Sequence, residues 1–325
     1  MSFKDIKGQE QAIKILQKEM ATSSVSGTYL FTGPAGVGKS LTALTFAKAL
    51  NCKEGKTDSC DRCSSCRKIN HQNHPDVRII TPEKDSIKIE QTRSLKREII
   101  YKLYEGRKKV WIIEKADSLT LEAANSLLKI LEEPPAETVL ILISPAQGKL
   151  LPTILSRCRI IRFLPLSLKE IEGIIAKHLP QDSQKTHLLG RLARGKVGEA
   201  LRLAKEEGIL ENREEILDSL GKERKIEEIF NLAAKWANYN KEELERILDM
   251  ILFWFRDLLI LKQGGDRWLI NEDKTHELKK QKEKYSFLDI KQIIETIERT
   301  GYYLKSNVNQ RLALEAMWLK LAYSV

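Results

Sequence analysis

No apolar run in the 325 residues approaches the roughly 20 that a membrane-spanning helix needs. The first residues, Met1–Asp5, lack the basic and then apolar pattern of a secretory signal. The sequence also has no long repeat and no low-complexity tract. Its 42% hydrophobic and 31% charged residues are an ordinary globular composition, which disfavours bulk disorder. We therefore expect a cytoplasmic protein of two or three domains.

Cysteine is scarce outside one segment, because four of the five cysteines fall between residues 52 and 66. In a cytoplasmic protein such a cluster indicates a metal site rather than disulfides. Four thiolates suit tetrahedral Zn²⁺, which would be structural since no coordination position is left open. An iron–sulfur cluster and four reduced thiols are the alternatives. The candidate ligands are Cys52, Cys60, Cys63 and Cys66.

Acidic residues are outnumbered, with 45 Asp and Glu against 55 Lys and Arg, which gives a net charge of +10. This excess favours a polyanionic partner such as nucleic acid, although general solubility explains it equally well. The basic residues are densest at Arg93–Arg97 and Arg107–Lys109.

A glycine-rich loop lies between an apolar segment, Thr28–Thr32, and a predicted helix over Leu41–Leu50. Its spacing is that of a P-loop, in which backbone N–H groups point at phosphate oxygens. Lys39 should reach the outer phosphates, and Ser40 should bind Mg²⁺. An inherited loop that binds nucleotide weakly or not at all is the alternative. The loop residues are Gly33, Pro34, Ala35, Gly36, Val37, Gly38, Lys39 and Ser40.

Short apolar segments alternate with helical periodicity up to Leu164–Pro165, and only helical periodicity follows. This pattern predicts an α/β nucleotide-binding domain with a parallel sheet, followed by all-α regions. We expect the α/β domain over residues 1–165, a three-helix unit over 166–208 and a larger helical domain over 209–325. The charged stretch Asn271–Lys284 is predicted to separate the last two helices from the rest. The predicted strands are Thr28–Thr32, Val77–Ile80, Val110–Ile113, Thr138–Ser144 and Arg159–Phe163. The predicted helices include Ile89–Tyr104, Leu121–Glu132, Leu168–His178, Ser183–Ala193 and Lys241–Lys262.

The strand Val110–Ile113 lacks the acidic pair that ends the catalytic strand of a working ATPase of this layout. Such a strand carries an Asp for Mg²⁺ and then a Glu that activates water, whereas Glu114 and Lys115 follow it here. Glu114 could still reach Mg²⁺. A charged lysine cannot act as the base, and Asp117 has the wrong spacing to replace it. We therefore predict that the chain alone hydrolyses ATP weakly or not at all.

Arg157 stands between small residues just before the fifth predicted strand. An arginine there could reach the nucleotide of a neighbouring subunit and stabilise charge on the transferring phosphate. A surface arginine in a local ion pair is the other interpretation, and spacing alone favours it.

Together these residues resemble the bacterial DNA polymerase III clamp-loader family of AAA+ proteins, over nearly the whole chain. The resemblance implies that the three predicted domains are an AAA+ domain, a lid and a collar. It implies that Arg157 acts in trans on the ATP of an adjacent subunit. It also implies a hetero-pentamer with motor (gamma/tau) and delta subunits, which loads a sliding clamp onto primed DNA. The segments that carry the resemblance are Tyr29–Ser40, the four cysteines, Ala124–Pro135, Ser156–Cys158 and Asn307–Glu315.

Two departures from the motor subunits indicate which member of this family the chain resembles. Glu114 and Lys115 replace the motors' Asp-Glu, and Gly198 of Gly195–Leu201 stands where motors carry a sensing arginine. Both departures are similar to the delta-prime type, a subunit of the DNA polymerase III holoenzyme, which is a nucleotidyltransferase complex. A gamma/tau-type motor and a zinc-stapled nucleotide kinase without a ring are the alternatives.

A basic cluster offers a candidate contact to DNA within such a ring. Arg93, Lys96 and Arg97 fall on one predicted helix that could face the interior of the ring. A solvated helix face is the alternative interpretation.

Overall fold

The computed structural model describes residues 1–177, 182–206, 208–220, 225–306 and 308–323. The chain forms two compact units, Met1–Lys177 with Ala193–Leu201 and His178–Leu192 with Arg202–Val325. The first contains a parallel sheet, and the described part of the second is helical, which confirms the predicted fold class. The domain limits at 165 and 208 stay predictions. The end of the predicted helix at His178, and residues 178–181, 207, 221–224, 307 and 324–325 of the predicted lid and collar, lie outside the described residues.

Five strands form the sheet of the first unit. They are β1 (Thr28–Thr32), β2 (Val77–Ile80), β3 (Lys109–Ile113), β4 (Thr138–Ser144) and β5 (Arg159–Arg162). All neighbours are parallel, and the spatial order is β2-β3-β4-β1-β5. β1 therefore lies inside the sheet, where Tyr29 pairs with Ile141 of β4 and with Arg159 of β5.

Helices alternate with strands in the first unit and follow one another in the second. Up to residue 177 they are α1 (Glu10–Ala21), α2 (Lys39–Asn51), α3 (Ser64–Asn70), α4 (Ile89–Ile99), α5 (Leu121–Glu132), α6 (Pro152–Leu155) and α7 (Leu168–Ile175). Beyond it they are α8 (Ser183–Ala193), α9 (Val197–Lys205), α10 (Ile209–Leu220), α11 (Ile226–Trp236), α12 (Lys241–Lys262), α13 (Thr275–Lys282), α14 (Phe287–Lys305) and α15 (Gln310–Tyr323). Among the residues described, none of these helices is long and apolar enough to span a membrane.

Alternating side chains of the central strands fill two apolar layers, one on each face of the sheet. In β1, Tyr29 and Phe31 belong to the layer formed with α1 and α2, while Leu30 belongs to the layer formed with α4 and α5. β4 divides in the same way. Both faces of the sheet are therefore buried, which explains why Thr138–Ser144 is a nearly continuous apolar run.

The parallel order gives the sheet two chemically different edges. Residues that follow strands lie at its carboxyl edge, among them Gly33 after β1 and Glu114 after β3. Residues that precede or begin strands lie at the opposite, amino edge. There the hydroxyl of Thr28 donates a hydrogen bond of 2.7 Å to the carbonyl of Arg157. β1 has five residues, so the two edges are about 13 Å apart at about 3.3 Å per residue.

The second unit combines an apolar core with a buried polar network. α10, α11, α12, α14 and α15 share the core. Asp257 of α12 is fully buried and accepts hydrogen bonds from the backbone and side chain of Asn271 at 2.7 and 2.8 Å. Buried Arg213 donates two to Asp273, at 2.8 and 2.9 Å. The charged stretch Asn271–Lys284 lies between α12 and the last two helices, as predicted, but it is packed and contains α13.

Six predicted elements have the predicted bounds, while others, among them α2, β3 and β5, differ by one or two residues at an end. β1, β2, β4, α5, α8 and α12 begin and end where the sequence indicated. α4, by contrast, ends at Ile99 rather than Tyr104. Residues 104–108 form a loop instead, because two buried side chains bind their backbone.

Those side chains are Asn51 and Asp76, each 2% exposed. The Asp76 carboxylate accepts hydrogen bonds from the three N–H groups of residues 104–106 at 2.8, 2.9 and 2.7 Å. The Asn51 side-chain oxygen accepts those of residues 107 and 108 at 2.7 and 2.9 Å. Burial by itself would raise the pKa of Asp76, but the backbone hydrogen bonds outweigh it and lower that pKa below its ordinary value.

We expect Asp76→Ala to lower the free energy of unfolding by about 3 kcal/mol, because three backbone donors lose a charged acceptor. Chemical denaturation followed by circular dichroism measures this change. Asp85→Ala, at an exposed acid, should stay within about 0.5 kcal/mol of the parent. Equal losses of unfolding free energy in Asp76→Ala and Asp85→Ala would contradict the stabilising role of Asp76.

The loss of unfolding free energy in Asp76→Ala should depend on pH, because the Asp76 carboxylate titrates. Since its folded pKa is lowered, its contribution is complete above the unfolded pKa of about 3.9 and disappears as the pH falls through the folded value. The difference between parent and Asp76→Ala should therefore shrink on acidification below that unfolded pKa.

Candidate functional sites

The glycine-rich loop joins the end of β1 to the start of α2, as predicted. Gly33 has φ +142°, and a Cβ there would lie 2.1 Å from the carbonyl oxygen of Phe163. Gly38 has φ +99° and caps the N-terminus of α2. Side chains at these two positions would clash or strain the backbone. The glycines therefore allow the chain to turn directly into a helix whose N-terminal N–H groups can bind an anion.

Lys39 lies inside this loop and is only 6% exposed. Its Nζ donates hydrogen bonds to the carbonyl oxygens of Gly33 and Pro34 at 2.5 and 2.6 Å. Desolvation lowers the pKa of Lys39, while the charges of Glu114 and Asp117 oppose that shift. The loop's own backbone thus satisfies the ammonium group that a phosphate would otherwise bind.

The two candidate Mg²⁺ ligands come together at the carboxyl edge. Ser40 Oγ donates a hydrogen bond of 2.9 Å to Oε2 of Glu114. Lys115 is exposed and has φ +48°. Asp117 accepts a hydrogen bond from Ser144 at 3.4 Å. Oxygen ligands for a divalent cation are therefore present, while an ammonium group stands at the position where a base would be needed.

Gly198 contacts the loop within the first unit. Its N–H donates a hydrogen bond of 2.9 Å to the carbonyl of Gly36. A Cβ on Gly198 would lie 3.4 Å from the Gly36 Cα, so the glycine lets α9 start close to the loop. This contact uses backbone alone and brings no side-chain charge to the loop.

Gln9 is a residue that the sequence did not indicate. It is 4% exposed, and its amide donates hydrogen bonds to the carbonyls of Val37 at 3.1 Å and Leu164 at 2.8 Å. It therefore ties the glycine-rich loop to the segment after β5. No local signal could have found it, because these partners are 28 and 155 residues away.

The four cysteines converge from different local structures. Cys52 follows α2, Cys60 lies in the connecting loop, Cys63 caps α3, and Cys66 lies in α3. Their Sγ atoms all lie within 4.8 Å of one another. Sulfurs at 2.3 Å from a tetrahedral zinc ion are about 3.8 Å apart, so small adjustments give that geometry. The cluster could therefore hold a metal ion such as zinc.

Backbone N–H groups surround the sulfurs of this cluster. Cys52 Sγ accepts hydrogen bonds from Gly55 at 3.1 Å and Cys60 at 3.4 Å. Burial opposes ionisation of Cys63, but hydrogen bonds from the backbone, including that of Cys66, outweigh it and lower the pKa of Cys63 to about 6. Burial raises the pKa of Cys66. A thiolate, the form that binds metals, is thus favoured at neutral pH.

Arg157 lies at the amino edge of the sheet, apart from the loop. Its side chain is 31% exposed, and the guanidinium contacts Glu132, the last residue of α5, with Nε and Nη2 each 3.0 Å from Oε2. The structure therefore gathers Lys39, Ser40 and Glu114 at one edge and Arg157 at the other. The sequence predicted no role for Glu132, although this residue lies in Ala124–Pro135, one of the segments that carry the family resemblance.

The basic cluster on α4 is separate from these groups. Arg93 and Arg97 are exposed, and Lys96 is half-buried. The three side chains belong to one helix, as expected, and form a basic strip.

Family models and curated proteins that resemble this chain are described as subunits of DNA polymerase III. Models of the family described as DNA polymerase III, delta subunit, match residues 8–167 and, for the C-terminal part, residues 207–322. DNA polymerase III subunit delta′ of Bacillus subtilis is 33% identical over 319 residues, which cover 96% of each chain. Subunit tau of the same organism is 26% identical over 345 residues, 98% of this chain and 61% of tau.

Among solved structures, a DNA polymerase III gamma subunit-related protein from Thermotoga maritima matches with a TM-score of 0.50 at 18% identity. The match covers 96% of this chain and 98% of that protein, and it supports the fold alone. The family rests instead on the sequence identity to delta′ along both chains and on the family models. The chain belongs to the delta-prime family of DNA polymerase III clamp-loader subunits.

Proposed function

We propose that this chain acts in the cytoplasm as the delta-prime subunit of a bacterial clamp loader, which places a sliding clamp on primed DNA during replication. The support is its identity to a delta′ subunit over nearly the full length of both chains. Its partners are then the motor (gamma/tau) and delta subunits of a hetero-pentamer. The domain division goes with this proposal: an AAA+ domain over 1–165, a lid over 166–208 and a collar over 209–325.

The position of Arg157 carries the proposed mechanism. The glycine-rich loop follows the carboxyl edge of the sheet and Arg157 lies at the amino edge, so the length of β1, about 13 Å, separates the two edges. Arg157 is therefore not placed to reach a nucleotide in its own loop. An arginine supplied by a neighbour stabilises charge on a transferring phosphate. In our proposal Arg157 does so for ATP bound to the adjacent motor subunit.

The chain's own loop is proposed to bind nucleotide without turning it over. Lys39 would contact the outer phosphates, and Ser40 with Glu114 would hold Mg²⁺, which would neutralise phosphate charge. Lys115 offers no base, and Gly198 offers no charge to sense the last phosphate. Both features weigh against the motor alternative, as does the lower identity to tau, of which this chain spans only 61%.

The four cysteines are proposed to hold a structural zinc ion. Their number, their convergence and the N–H···S bonds fit that ion. Bound zinc would cross-link the end of α2 to α3 and so stiffen residues 52–66.

The strip on α4 is proposed to contact DNA. The support for this contact is the shared helix of Arg93, Lys96 and Arg97 and the net charge of +10. In the assembled ring these side chains would neutralise phosphates of the primed DNA.

We expect Arg157→Ala to lower the hydrolysis rate at the adjacent motor site by about 10³-fold, because a trans arginine contributes at least that much elsewhere. Clamp-dependent ATP turnover and clamp loading by the reconstituted complex measure the effect, and size exclusion should show intact assembly. Arg67→Ala, at an exposed arginine of α3, is the matched control. Unchanged turnover with Arg157→Ala would disprove the finger role.

The isolated chain should bind Mg-ATP and release almost no phosphate at steady state. Lys39→Ala should weaken binding at least about 10-fold, since it removes a charged hydrogen-bond donor to phosphate. Calorimetry measures the affinity, and Lys14→Ala, at an exposed residue of α1, should leave it unchanged. Robust hydrolysis that depends on Lys39 would favour the motor alternative instead.

Purified protein should contain about one zinc ion per chain, measured by plasma mass spectrometry. Cys63→Ser should lose the metal and lower the midpoint of thermal unfolding, because one of four ligands is gone. Cys158→Ser should retain the metal, since Cys158 is outside the cluster. Iron with visible absorbance would point to an iron–sulfur cluster, and absence of any metal would contradict the site.

A further inference from the structure

Each nitrogen of the Arg157 guanidinium lies close to an acceptor of its own subunit. Nε and Nη2 lie 3.0 Å from Oε2 of Glu132. Nη1 donates to the carbonyl of Thr153 at 3.0 Å and lies 3.4 Å from the hydroxyl of Ser156. Every nitrogen that could bind a phosphate oxygen is therefore already directed at an acceptor within the chain.

Hydrogen bonds within the chain hold the backbone of Arg157. Its carbonyl accepts the hydrogen bond from Thr28 of β1, and its N–H donates to the carbonyl of Ile154 at 3.1 Å. Only the side-chain torsions of Arg157 remain to redirect the guanidinium. Its direction thus depends on which acceptors compete for it.

Glu132 is the charged acceptor in that competition. The pair is accessible to water, with side-chain exposures of 31% for Arg157 and 59% for Glu132. Exposed ion pairs are weak, so a polyphosphate with several negative charges can displace a single carboxylate. A carboxylate that stays nearby would also repel the incoming phosphate.

We propose that Glu132 restrains Arg157 on its own subunit and competes for it with the phosphates of the neighbouring subunit's ATP. This inference rests on the proposed trans role of Arg157. Glu132 then acts as a positioning residue that sets how readily the arginine engages. Removing its charge releases the guanidinium, while Thr153 and Ser156 still offer neutral acceptors.

The test is Glu132→Gln in the reconstituted clamp-loader complex, with ATP as the probe. The quantity measured is the Arg157-dependent ATP turnover, the difference between complexes with and without Arg157→Ala. It should rise about two- to fivefold, the range expected for loss of one exposed ion pair. Glu133→Gln changes the adjacent exposed carboxylate and should leave this turnover unchanged.

The double variant Glu132→Gln with Arg157→Ala separates a positioning role from a merely structural one. Its turnover should equal that of Arg157→Ala alone, because Glu132 is proposed to act only through Arg157. Unchanged or lower turnover in Glu132→Gln would overturn the proposal, and so would an equal rise in the double variant.

Failure of this inference can be told apart from failure of the proposed function. If Arg157→Ala reduces turnover while Glu132→Gln has no effect, only the restraint is wrong. If Arg157→Ala has no effect, the trans role itself falls, and the restraint falls with it.

Discussion

The pairing of β1 with β4 on one side and β5 on the other is the constraint on which both candidate sites depend. Because the three strands are parallel, the loop after β1 and the arginine before β5 must lie at opposite edges. The register is well protected, since a one-residue slip would exchange Tyr29 and Phe31 with Leu30 between the two apolar layers. The separation of nucleotide loop and arginine is therefore a property of the sheet and not of flexible loops.

An intact P-loop spacing does not by itself make a motor. The loop has the required glycines, yet the ammonium of Lys39 is bound by Gly33 and Pro34, and Gly36 accepts a backbone hydrogen bond from Gly198. Phosphate oxygens near Lys39 would compete with the carbonyl oxygens of Gly33 and Pro34 for its ammonium group. At the end of β3, Lys115 places an ammonium group where an ATPase of this layout would need a base.

Sequence reasoning succeeded where the deciding information was local. Short apolar segments indicated β1 and β4, helical periodicity indicated α5 and α12, and close spacing identified the glycine-rich loop and the four cysteines. It failed where a distant residue decided the outcome: Asp76 ends α4 early through residues 104–106. In the same way, Arg213 and Asp257 turn a charged stretch into packed structure. Gln9 and Glu132 were overlooked for this reason too, since single polar side chains carry no periodic signal.

Helix α5 connects the two edges of the sheet. It begins shortly after Glu114 and ends at Glu132, and its twelve residues extend about 18 Å at about 1.5 Å per residue. Leu127 and Ile130 of α5 pack in the apolar layer that this helix shares with α4. Its two ends therefore lie toward opposite edges of the sheet, with Glu132 beside the guanidinium of Arg157. A shift of α5 along its axis would move Glu132 relative to Arg157 and so change the 3.0 Å separation of this ion pair.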